Sequence, residues 1–133
     1  MTAVRYTFKK NERLKREQHI DSLFRNGKAF SVFPIKFIYQ LVPRQADSAI
    51  IRTGFSVPKK KFKSSVQRHA VRRKLIEAWR VHKHLLLEHI PPEKELHIFL
   101  IFTSRENEEM NILVSKVMEG IDKLKQILSH IDG

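Results

Sequence analysis

Hydrophobic and polar positions alternate along the chain with two periods, and each stretch predicts an element. From about Arg16 to Arg25 the period is helical: Ile20, Leu23 and Phe24 share one face, and Asn26-Gly27 supplies a C-terminal stop. From Ile35 to Val42 the period is two, with Ile35, Phe37, Tyr39 and Leu41 facing one way and Lys36, Ile38, Gln40 and Val42 the other. Pro43 and the polar residues after it predict a turn, and Ala49 to Val57 a second strand, so the two strands read as an antiparallel hairpin. Beyond Pro58, Val71, Leu75, Ala78, Trp79, His82, Leu85 and Leu86 gather on one side of a helix, for which Ser64 or Ser65 is the expected N-cap. Pro91-Pro92 breaks the chain, and Leu96 to Phe102 (LHIFLIF) is continuous enough to be a strand buried on both faces, or almost so. Thr103-x-x-Glu106 resembles a capping box, and Leu113, Val117, Ile121, Leu124, Leu128 and Ile131 form the apolar stripe of a last helix that runs to about His130.

These elements give an α+β fold in one domain spanning residues 1–133, in the order α-β-β-α-β-α. A mixed sheet is covered by helices, and a βαβ crossover joins parallel strands. A second layout adds a short strand near Phe30 to Val32. In either layout Phe30 and Phe33, just before the Ile35 strand, are expected to cover a sheet edge or pack on the first helix. Residues 1–10 (MTAVRYTFKK) have no clear period and read as a flexible basic arm, anchored by Tyr6 or Phe8.

Charge changes the picture more than composition does. The 133 residues carry a net charge of +12 with a pI near 10.2, which implies a nucleic acid or another anionic surface as partner. Residues 1–90 hold 21 basic and 6 acidic side chains, whereas residues 91–133 hold 5 and 8. A binding face must therefore come from the first two-thirds, and the acid-rich last helix is assigned to covering the sheet. Cysteine is absent, so disulfides and thiolate chemistry are excluded. No apolar run is long enough to span a membrane and no N-terminal segment resembles a signal peptide, so a cytoplasmic location is expected.

The positive charge peaks between Lys59 and Lys83, where ten Lys or Arg face one acid, Glu77. On the helix, Arg68, His69, Arg72, Arg73, Arg80 and Lys83 fall beside the apolar stripe. One face can dock on a core while the next presents guanidinium forks that match phosphate oxygens. Like-charge repulsion on such a face is relieved when a polyanion displaces counterions.

The chain offers little chemistry of its own. Its seven histidines form no His-Glu-x-x-His motif, and there is no glycine-rich phosphate loop. No carboxylate pair lies in the basic region, so general acid–base hydrolysis of a phosphodiester by protein groups lacks its parts. His69, among the arginines, reads as a hydrogen-bonding partner of RNA. A DNA reader is disfavoured because base recognition usually places Asn or Gln beside Arg, and this helix has only Gln67. A membrane module is disfavoured because the helix lacks an exposed aromatic face. A ribosomal or other structured-RNA-binding protein without enzymatic role stays open.

Three stretches carry a resemblance. Residues 54–60, GFSVPKK, followed by residues 68–79, RHAVRRKLIEAW, resemble the signature of the bacterial ribonuclease P protein component. That family shows G-L-S-V-S-K-K, then an Arg-Asn-Arg helix that continues I-K-R. Arg68 matches the first arginine, and Arg72 and Arg73 the following basic pair, whereas His69 and Ala70 depart from the pattern. Residues 13–27, RLKREQHIDSLFRNG, resemble the family's first helix and its glycine stop. The resemblance implies an accessory subunit of an endoribonuclease whose RNA subunit holds Mg2+ and removes the 5′ leader of precursor tRNA. It implies that Lys59, Lys60, Lys61, Arg68, His69, Arg72 and Arg73 bind that RNA, and that the crossover is left-handed. It also implies a leader-binding cleft between first helix and sheet, with Ile20, Phe24, Phe37 and Tyr39 as candidates, although Phe37 reads equally well as core. Ile20 stands where the family commonly has an aromatic residue.

Overall fold

The computed structural model describes residues 8–45, 48–60 and 62–130. After a 3-10 turn at Lys10–Glu12 come α1 (Glu17–Asn26), β1 (Lys28–Val32), β2 (Ile35–Pro43) and β3 (Ile51–Ser56). Then follow α2 (Ser65–His82), a 3-10 segment at Lys83–His89, β4 (Lys94–Phe102) and α3 (Met110–Ser129). The short strand of the second layout is therefore present as β1. Of the basic arm only its last residues are described; Phe8 packs edge-on against Phe55, with ring centroids 5.7 Å apart, while Tyr6 lies outside the described residues.

The sheet order is β1-β2-β4-β3. β1 and β2 are antiparallel, β2 and β4 are antiparallel, and β3 and β4 are parallel. The expected β2–β3 hairpin does not form, because β4 inserts between the two strands. Its nine residues pair with β2 from Ile35↔Phe102 to Pro43↔Lys94, and its other edge takes β3 from Ile51↔Leu96 to Ser56↔Ile101. Six of the nine β4 residues are buried, and the strand gains most from the centre, where neighbours on both sides satisfy its backbone. The β3–α2–β4 unit is the parallel crossover expected from the sequence.

The faces of the sheet have separate tasks. Ile35, Phe37 and Tyr39 of β2 and Leu96, Ile98, Leu100 and Phe102 of β4 lie in the main core with residues of α2 and α3. There α2 contributes Val71, Leu75, Ala78 and Trp79, and α3 contributes Leu113, Val117, Ile121, Leu124 and Leu128. Gly120 lets α3 settle onto the Phe37 ring, since an added Cβ would lie 2.3 Å from Phe37 Cζ. Phe30 of β1 stacks on Phe37 at 5.0 Å with planes 13° apart. Trp79 Nε1–H donates to Thr53 Oγ1 at 2.9 Å inside this core, which ties α2 to β3. On the opposite face Leu23 of α1 packs with Leu14 and Ile38, flanked by Ile20, Phe99 and Ile101.

Two boundaries differ from the sequence reading. The α-helical part of α2 stops at His82, and a 3-10 segment carries Leu86 into the core. α3 starts only at Met110, because Thr103 does not cap it: Thr103 Oγ1 instead donates to the Pro34 carbonyl at 3.1 Å, fastening the end of β4 to the β1–β2 turn.

Candidate nucleic-acid interface

The cationic face is built where β3 hands the chain to α2. Ser64 caps the helix, its Oγ accepting from Gln67 N–H at 3.3 Å. Just before it, Phe62 is buried and its ring lies 5.9 Å from that of Phe102, so the lysine-rich loop is anchored by an aromatic plug. Arg68 Nη1 donates to the Phe62 carbonyl at 2.7 Å and to the Lys63 carbonyl at 3.0 Å. Lys59, Lys60 and Lys63 are exposed on this pinned loop, and Lys61 lies outside the described residues.

Along the helix His69, Arg72 and Arg73 are exposed and Arg68 is half-buried. Among the described residues none of Lys59, Lys60, Lys63, Arg68, Arg72 and Arg73 takes part in an ion pair. Beyond Arg73 two cations of this stretch do pair. Lys83 meets Glu12 at 2.9 Å, and Arg80 meets Glu77 at 2.9 Å. Arg80 holds the Glu77 carboxyl below its ordinary range by hydrogen bonding. Lys74 donates to Asn107 Oδ1 at 2.9 Å and to the Glu108 carbonyl at 3.0 Å, so it bridges α2 to the loop before α3. The first half of α2 and its loop thus form a ridge of uncompensated charge on a fixed backbone.

A groove lies between α1 and the sheet. Phe24 is half exposed and meets Phe99 edge-on, with centroids 5.3 Å apart. Ile20 and Ile101 border the pair, and the exposed Lys36 shares the Ile38 side of β2. Phe37 and Tyr39 are not in this groove. They are 0% and 7% exposed and point into the main core on the other face of the sheet, where burial also raises the Tyr39 pKa. Their expected place beside Ile20 and Phe24 is therefore corrected: the aromatic partner of Phe24 comes from β4. Period-two counting along LHIFLIF sets Phe99 opposite Ile98 and Leu100 and would have found it.

A family model described as Ribonuclease P matches residues 8–125, a stretch that holds both the ridge and the groove. The chain belongs to the ribonuclease P protein family. A ribonuclease P protein component from Porphyromonas gingivalis (strain ATCC 33277) is 37% identical over 95 residues, covering 70% of this chain and 66% of that relative. The counterpart from strain W83 of that species matches equally. The matched stretch thus spans just under two-thirds of the relatives' own length. The fold also matches solved ribonuclease P proteins. That of Staphylococcus aureus superposes with a TM-score of 0.60 at 18% identity, covering 88% of this chain and 97% of that one. That of Thermotoga maritima gives a TM-score of 0.60 at 20% identity, covering 92% and 99%.

Within the ribonuclease P family frame, the departures at His69 and Ala70 are both tolerated by the local structure. His69 is exposed, and Ala70 is half-buried on a helix whose interior is set by Val71 and Leu75. Among the described residues no helix is long and apolar enough to cross a membrane.

Proposed function

We propose that the chain is the protein subunit of a ribonucleoprotein ribonuclease P in the cytoplasm. It grips the catalytic RNA and the 5′ leader of precursor tRNA, and the RNA performs the magnesium-dependent cleavage that yields the mature 5′ end. The observation that carries this reading is the ridge of Lys59, Lys60, Lys63, Arg72 and Arg73, which among the described residues meets no carboxylate.

The physical logic follows from that ridge. Each phosphate contact by Lys or Arg releases counterions and steepens the fall of affinity with salt, by a slope of roughly −0.9 per contact on duplex nucleic acid. Arg72 and Arg73 project from a capped helix, so little order is lost when they engage phosphates. Their charge also offsets repulsion between the folded RNA and a second polyanion, the precursor tRNA. The groove supports the second grip. Unpaired bases stack on aromatic faces with about 1–3 kcal/mol each, and Phe24 with Phe99 offers such a platform beside Lys36.

Magnesium does not fit the protein's own donors. Among the described residues no three His, Asp or Glu side chains are grouped to hold a metal ion, and the ridge has no carboxylate pair. Hard divalent cations want several oxygen ligands, which the RNA would supply.

Cleavage of precursor tRNA in magnesium tests the reading. Protein alone is expected to be inert, and the RNA subunit with protein is expected to release a leader and a 5′-phosphorylated tRNA. Leader removal by the protein alone would overturn it.

A further inference from the structure

β4 carries two ionisable side chains on its α1 face, next in alternation to Phe99 and Ile101. Glu95 is 2% exposed and His97 is 3% exposed. Burying such groups costs several kcal/mol per ion unless partners compensate, so their place in a strand whose other residues after Lys94 are Leu, Ile and Phe calls for a reason.

Compensation of Glu95 is complete. Its Oε2 lies 2.7 Å from His97 Nε2 and 3.3 Å from Arg52 Nε, and its Oε1 accepts from Gln45 N–H at 3.2 Å. The two imidazoles are less well satisfied. His19 of α1 sets its ring 4.9 Å from that of His97, the planes tilted by 45°. His19 Nδ1 is buried without a hydrogen-bond partner. The His97 ring makes its only hydrogen bond among the described residues through Nε2. Both rings line a pocket of about 280 Å³, together with Glu95, Ser22, Arg44 and Gln45.

This pocket is not the Phe24 groove. At about 100° per residue, His19 and Ser22 lie on one side of Leu23 on α1, and Ile20 and Phe24 lie on the other. The helix therefore separates two surfaces, an aromatic one and a polar one.

We propose that the His19–His97 pocket binds one unpaired RNA base, stacked against the partly exposed His19 ring and hydrogen-bonded by Ser22, Gln45 and the His97 ring nitrogen that makes no bond to Glu95. The proposal rests on the RNA-binding function above and adds a second, base-reading site to it. Size and chemistry select this ligand class. The pocket is smaller than the usual 300–1,000 Å³ of drug-sized sites. Stacking on His with hydrogen bonds to base edges is a common way of holding splayed-out RNA bases. A bare phosphate would meet the Glu95 carboxylate, and a divalent cation would find no group of three ligands. Arg44, exposed at the rim, is placed for the phosphate of the same nucleotide. The base comes either from the leader or from the catalytic RNA.

Titrating the whole protein, labelled at its histidine rings, with each of the four nucleoside 5′-monophosphates tests the pocket directly. Saturable shifts of the His19 and His97 rings are expected with at least one nucleotide, the exposed His130 ring at the end of α3 staying put. His19→Ala and, at the exposed rim, Gln45→Ala are each expected to weaken that binding about tenfold, and Met118→Ala, exposed on α3, to leave it unchanged. No ring shift with any nucleotide, or shifts unaltered in both pocket variants, would overturn the proposal. Affinities of His19→Ala for the RNA subunit and for precursor tRNA then locate the base. A loss confined to one RNA identifies the source, and no loss for either overturns the proposal. If instead the RNA-binding function itself is wrong, Arg72→Ala will leave RNA affinity unchanged whatever the pocket does.

Discussion

Arg68 turns its guanidinium away from solvent and donates to the carbonyl oxygen of Phe62 at 2.7 Å. The same Nη1 reaches the Lys63 carbonyl at 3.0 Å, so one side chain holds the lysine loop from the helix that follows it. Arg68 and Arg72, one helical turn apart, consequently have different tasks. Arg72→Ala is expected to lower the salt slope of RNA binding by about one and to leave thermal stability unchanged. Arg68→Ala is expected to release the loop as well, removing two hydrogen bonds worth about 1.5–3 kcal/mol each for a charged donor. Amide exchange across residues 59–64, measured beside the salt titration, separates the two. Unchanged loop protection in Arg68→Ala would refute the clamp.

Phe24 is half exposed, so truncating it changes the surface more than the core. Phe24→Ala is expected to weaken binding of leader-bearing precursor by about 1–3 kcal/mol while mature tRNA binds as before. Competition between the two RNAs reads this out. Equal losses for both would remove the leader from the groove.

The Trp79–Thr53 hydrogen bond joins α2 to β3 in a region sealed from water. Thr53→Val keeps the shape and deletes the acceptor, leaving the buried indole N–H unpaired. A loss of about 1–3 kcal/mol in chemical denaturation is expected, with no direct effect on the exposed arginines. A neutral result would mean that the indole finds another acceptor.

Gly120 faces the Phe37 ring, and an alanine Cβ there would sit 2.3 Å from Cζ. Overpacking of this kind costs about 1–3 kcal/mol, more than the roughly 1 kcal/mol gained by replacing glycine inside a helix. Gly120→Ala is therefore expected to lower the melting temperature. A rise would show that α3 and Phe37 yield easily to each other.

Stability should also depend on pH through β4. Burial pushes the His97 pKa down against the pull of Glu95. Burial works the other way on Glu95, yet hydrogen bonds from His97, Ser48 and Gln45 N–H hold its pKa below the ordinary range. In both cases the unfolded chain binds its proton more readily than the folded one. Stability is thus complete above about pH 6.5, the unperturbed histidine value, and declines as pH falls through the lowered His97 pKa and then that of Glu95. Urea midpoints across this range measure the decline. His97→Gln is expected to flatten its upper part, and an identical profile would locate the titrating group elsewhere.

The elements that announce themselves locally were legible. α2, its Ser64 cap, its buried Val71-Leu75-Ala78-Trp79 stripe and the exposed arginines all follow from helical spacing within some twenty residues. The partner of a strand does not. β2 and β3 are neighbours in sequence, and nothing in their alternation says that Lys94–Phe102 will come between them. The same long-range choice decides which face of β2 meets α1, and hence why Phe99 and not Phe37 borders Phe24. His97 hid in the nearly continuous apolar run Leu96 to Phe102 and Glu95 just before it, and Arg68 looked like its neighbours because a charge gives no sign of the carbonyls it will meet.

The central position of β4 bears on how the chain matures as it is made. β3 and the whole of α2 leave the ribosome before the strand that seats them, so until Phe102 has emerged the basic helix lacks its floor. Closing the sheet therefore waits for β4, as non-local pairing generally delays folding. The surface proposed to clasp RNA is translated before the strand that seats it and becomes rigid afterwards, when α3 also packs into the core that α2 shares.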